Sequence, residues 1–133
     1  MWQLSSGAFL GWSLGSNDAS NVFGTAVSSN MVSFRTACIL CSVFVVIGAV
    51  VGGRAGLDTY SGMSSFSLNT AFIVGLASAL TVALMTRLGL PVSTSQAVVG
   101  ALCAIGVIQE DLNTDSLVRV VVCWVFTPIG GIV

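Results

Sequence analysis

Between Cys38 and Gly53 the sequence reads CILCSVFVVIGAVVGG, a run with no charged residue. Extended back to Thr36, the segment 36–53 reaches the roughly 17 residues that a helix needs to cross the hydrocarbon core of a bilayer. Downstream, residues 70–88 form a second apolar segment, closed by Arg87 and the break Gly89-Leu90-Pro91; as a helix it would be about 28 Å long. Three further apolar stretches, 7–27, 92–108 and 117–133, complete five probable spans. Composition agrees. Only 7% of the 133 residues are charged and the mean hydropathy is +1.00, whereas a soluble domain carries about 25% charge. A small domain has a high ratio of surface to volume, and four basic and five acidic side chains are too few to clothe it. The fold class expected is all-α, a polytopic membrane helix bundle in contact with the lipid bilayer.

The same composition excludes several functions. The net charge of −1, with no Lys, leaves no basic patch for nucleic acid. The absence of His removes most zinc sites and the Ser-His-Asp hydrolases, so the chain does not read as an enzyme and no cofactor is expected. Cys38, Cys41, Cys103 and Cys123 all lie in apolar runs, where a thiol is usually a small packing residue. Small residues recur at every fourth position, as in Gly7, Gly11 and Gly15, Gly48 and Gly52, and Gly75, Ala79 and Ala83. In lipid such stripes allow helix backbones to approach closely.

Two polar islands interrupt the apolar sequence. The first is Gly15-Ser16-Asn17-Asp18-Ala19-Ser20-Asn21. A carboxylate in mid-membrane costs about 2.5–3.5 kcal/mol on insertion scales and needs a partner or a polar cavity. Ser16, Asn17, Ser20 and Asn21 offer side-chain oxygens around Asp18, and a broken helix would add free carbonyls, together an oxygen cage for a hard cation such as sodium. The alternative is a helix end with a solvent-exposed turn. The second island, Gly89 to Gln96, reads as a helix start, with Pro91 in the first turn and Ser93, Thr94 and Ser95 beside it. Helix N-termini with free N–H groups and nearby hydroxyls bind oxyanions; the alternative is an ordinary Ser/Thr cap at a membrane surface. A cation cage and an anion cradle in one apolar chain are the parts of a secondary transporter with broken or re-entrant helices. A channel-like or structural bundle is the competing reading.

GSNDASNVFGTAVSSN (15–30) resembles the signature of the inorganic phosphate transporter (PiT) family, typically Gly-Ala-Asn-Asp-Val-Ala-Asn-Ala followed by Phe-Gly-Thr. GLPVSTSQAVVGA (89–101) resembles that family's Gly-Leu-Pro-Val-Ser-Thr-Thr-His segment, and CWVFTPIGG (123–131) its Ser-Trp-Val-Ile-Ser-Pro element. The resemblance implies one half of an inverted-repeat transporter, the N-terminal repeat of a phosphate permease, ending within the last helix and completed by a C-terminal repeat or a second copy. It implies sodium as the coupling ion, held at Asp18 with Asn17 and Asn21, and phosphate held by Ser93, Thr94 and Ser95 with Gln96, Asn17 and Asn21, in the plasma membrane. Two departures bear on substrate. Gln96 stands where His is usual, and Val45 where many members carry Glu. Phosphate at neutral pH retains a proton to donate, whereas sulfate only accepts, so a site poorer in acids keeps sulfate, or another tetrahedral oxyanion, as the alternative cargo.

Overall fold

The computed structural model describes residues 2–64 and 67–132. The described residues form five helices in chain order, α1 (Leu4–Ser28), α2 (Phe34–Ser61), α3 (Leu68–Arg87), α4 (Thr94–Ile108) and α5 (Thr114–Gly130). The all-α expectation holds. Two helices, α2 and α3, are long and apolar enough to cross a membrane by length and composition. α4, with 15 residues, is about 22 Å long and falls short of a full span.

The first island does not break its helix. α1 runs without interruption through Ser16–Asn21, because the polar side chains bond back without displacing the backbone ladder. The Ser16 hydroxyl donates to the Ser13 carbonyl at 2.8 Å, and that of Ser20 to the carbonyls of Ser16 and Asn17, each at 2.8 Å. The freed carbonyls expected for a cation cage are therefore missing. α2 is also longer than the expected 36–53. The stretch after Gly53 contains no proline and has Arg54 and Asp58 one turn apart, so the helix continues to Ser61.

α1 and α3 lie side by side and run parallel. Gln3 Nε2 donates to Asn69 Oδ1 at 2.9 Å, and Ser13 Oγ donates to the Ala79 carbonyl at 3.3 Å; both pairs are 66 residues apart, the constant offset that parallel helices give. Trp2 meets Phe72 edge to face with ring centroids 4.6 Å apart. The small-residue stripe on α3 explains how close the helices come. Gly75 faces Ser6, whose Oγ lies 3.0 Å from where a Cβ on Gly75 would be, and Ala79 is fully buried. By contrast Gly48 and Gly52 on α2 face open space. Much of α2, including Val50 at 79% and Val51 at 82%, is bare.

α4 packs antiparallel on α3 after the turn at 88–93. Met63, Val74, Val99 and Leu102 form a buried cluster, with Leu117, Val120 and Trp124 of α5 half-buried against it. The Asn113 N–H donates to the Met63 carbonyl at 3.0 Å, tying the α4–α5 loop to the end of α2. Three helices end on a left-handed residue, Asn30, Gly89 and Glu110, each followed by an N–H reaching back to the last turn: Met31 to Ala26, Leu90 to Met85 and Asp111 to Gly106. This is the Schellman arrangement. Gly89 was legible as a stop, and Asn30 is of the residue type that after glycine best tolerates this backbone; Glu110 carried no comparable signal.

Gly75→Val should lower the thermal unfolding midpoint in detergent, since overpacking costs about 1–3 kcal/mol. Gly48→Val, facing open space in this chain, serves as the control, and an equal drop in both variants would mean that the α1–α3 contact is not the tight one.

Candidate functional site

One face of α1 carries Gly7, Leu10, Gly11, Leu14, Asp18 and Asn21, the three-and-four spacing of a helical stripe. These residues line an open groove of about 820 Å³, together with Tyr60 of α2, Pro91, Val92 and Ser93 of the turn, and Thr94, Ser95 and Val98 of α4. The two islands, 75 residues apart at Asn17 and Val92, thus face one space. Asp18 is the one charged side chain among its lining residues, and it is exposed to the groove.

Asn17 forms the link between the islands. It is 5% exposed, and its Nδ2 donates both to Asp18 Oδ1 and to the Val92 carbonyl, each at 2.9 Å. Ser93 is the N-cap of α4, its Oγ accepting from the Gln96 N–H at 3.4 Å and lying 3.0 Å from Ser95 Oγ. Pro91 lies in the turn before the cap and not in the first helical turn. Thr94 Oγ1 is buried without a hydrogen-bond partner. Such an orphan is uncommon in proteins, and its residue lines the groove.

Not every residue singled out in the sequence comes to this groove. Ser16 and Ser20 lie on another face of α1 and line a pocket with Phe23, Phe34 and Ala37 between α1 and α2. Gln96 is exposed and contributes its backbone N–H to the Ser93 cap. Val45, on the bare side of α2, is 51% exposed and does not line the groove. Conversely Tyr60 lines it, although it lies outside the five expected spans; a lone Tyr after an Arg/Asp pair gave no signal. The role of the Val92 carbonyl was equally invisible, because a backbone acceptor leaves no mark on residue type.

The cap and the orphan hydroxyl separate experimentally. Ser93→Ala should destabilise the protein by about 0.5–2 kcal/mol through loss of the cap. Thr94→Val in anion-free buffer should leave the unfolding midpoint unchanged, since it removes no hydrogen bond; a comparable loss in both would show that Thr94 has a structural partner.

The model of the phosphate transporter family matches residues 14–133. Relatives include two archaeal proteins that bear the name "putative phosphate permease". One, from Methanocaldococcus jannaschii, is 33% identical over 98% of this chain and 43% of its own length. The other, from Pyrococcus horikoshii, is 33% identical over 92% and 33%. The sulfate permease CysP of Bacillus subtilis is 34% identical over 91% of this chain and 36% of its own. The chain thus spans less than half the length of these relatives, and no solved structure matches it. With the family's model covering both islands and nearly all of the sequence, this membrane chain belongs to the phosphate transporter family.

Proposed function

We propose that the chain is one repeat of a secondary active transporter that carries inorganic phosphate together with sodium across the plasma membrane. The observation that carries this reading is the shared groove, in which Asp18 and Asn21 of α1 stand on the same space as Ser93, Thr94 and Ser95 at the N-terminus of α4. An oxyanion suits the α4 end. The first turn of a helix has N–H groups with no intrahelical acceptor and the positive end of the dipole, and the exposed Ser93 and Ser95 stand on the groove beside it. The carboxylate of Asp18 would repel that anion unless a cation sat between them, which is the electrostatic rationale for cation coupling. Sodium fits an oxygen set of carboxylate and amide better than a transition metal does. The α3–α4 turn meets α1 at Asn17, eleven residues short of the end of α1 at Ser28, or about 16 Å along the helix. That depth suits a site reached from one side of the bilayer. A second repeat, or a second copy of this chain, would cover the open side.

Sulfate is the second reading. Among the described residues that line the groove Asp18 is the one carboxylate, and the α4 end offers Ser93, Thr94 and Ser95; one relative is named a sulfate permease.

Uptake of labelled phosphate by the permease in proteoliposomes tests the proposal. Transport should saturate, fall to background when choline replaces sodium, and be lost in Asp18→Asn at unchanged expression. Ser95→Ala should raise KM for the anion about tenfold, the loss expected for one hydrogen bond to a charged group. Uptake indifferent to sodium would remove the coupling, and competition by sulfate stronger than by unlabelled phosphate would reassign the cargo.

A further inference from the structure

The sequence alone made Asn17 a ligand for both ions, but its surroundings point elsewhere. The side chain is 5% exposed and is not among the residues lining the groove, whereas its neighbour Asp18 and Asn21, one turn on, are. Its Nδ2 has two hydrogens, and the two acceptors at 2.9 Å, Asp18 Oδ1 and the Val92 carbonyl, use both. Because neither partner can donate, the amide orientation is fixed by chemistry: turning Oδ1 toward two oxygens would replace two attractions with two repulsions. No N–H of this amide remains for an anion.

The segment held by this bond has little else to hold it. Residues 88–93 lie between two helices, with Gly89 at φ +69°; the N–H groups of 88–90 bond back to Leu84, Thr86 and Met85 of α3, and the Ser93 carbonyl accepts from Ala97 of α4. Among the described residues, the Val92 carbonyl is the point at which the turn is hydrogen-bonded to α1. The next residue is Ser93, the cap of α4.

We infer that Asn17 is a positioning residue that ties the α3–α4 turn to α1 and sets the separation between the Asp18 carboxylate and the Ser93–Ser95 hydroxyls. One amide group bonds the acid at one end and the backbone beside the hydroxyls at the other, so a displacement of either is transmitted to its counterpart. This inference rests on the reading of the groove as the transport site, and it assigns Asn17 to coupling the two halves of that site without contacting either ion.

The test uses the permease in a cysteine-free background, in which Cys38, Cys41, Cys103 and Cys123 of this chain are replaced. Spin labels at Val22→Cys and Leu90→Cys, both exposed and outside the groove, report the distance between α1 and the turn by pulsed electron resonance. The parent should give one narrow distribution. Asn17→Ala and Asn17→Asp should both broaden it and raise the anion KM by about tenfold; Asn17→Asp keeps the volume and an oxygen but lacks the donors, so it decides the matter if Asn17→Ala does not fold. A parental distance distribution in Asn17→Asp overturns the assignment. If the parent transports neither phosphate nor sulfate, the groove reading fails, while the distance measurement still decides whether Asn17 holds the turn.

Discussion

Ser6 and Gly75 meet so closely that a methyl group on the glycine would need its neighbour to move, and the arrangement of the chain follows from this contact. Within a bilayer, burying apolar surface gives helices no reason to associate, and small residues that admit close backbone approach take over that role. Here they hold α1 and α3 parallel at a fixed offset of 66 residues. With that register set, the end of α3 lies near the polar stretch of α1, and the turn that follows delivers Val92 to Asn17. A slip of one residue would rotate the α1 stripe by about 100° and carry Asp18 off the groove. α2 must then return along the full length of α1 for the parallel pair to form.

The parts of this arrangement that depend on residue type were legible. Five apolar segments gave five helices, and the hydroxyl cluster after Pro91 marked the start of α4. The parts that depend on backbone partners were not. Ser16, Asn17 and Ser20 look like helix breakers because such side chains compete for backbone groups. Only the structure shows that two of them merely add bonds to carbonyls in their own helix while the third reaches across to another segment. Circular geometry also escaped a linear reading. Ser16 and Ser20 are nearer to Asp18 in sequence than Asn21 is, yet the helix turns them toward α2.

Gln96 and Val45 illustrate a further point about reading departures from a pattern. Both replace groups whose chemistry seemed to bear on the choice of anion, but within this chain neither side chain faces the groove. An influence of either position on selectivity must therefore pass through protein that packs on α2 or near the start of α4. Tyr60, which no motif flagged, lies closer to the question, because its phenol can both donate and accept.

The length of α2 has a consequence for where the contacts of the bundle gather. Its uncharged portion, 36–53, covers about 27 Å, close to a hydrocarbon thickness of about 30 Å, and the remaining turns, which carry Arg54 and Asp58, lead on to Tyr60 and Met63. Met63 then packs against Val74, the residue before Gly75, so the buried cluster and the Ser6–Gly75 seam occupy one level of the bundle, beside the first turns of α1 and α3. Side-chain burial and close backbone approach thus fall on the same short stretch of α3, and a change in either is felt by the other.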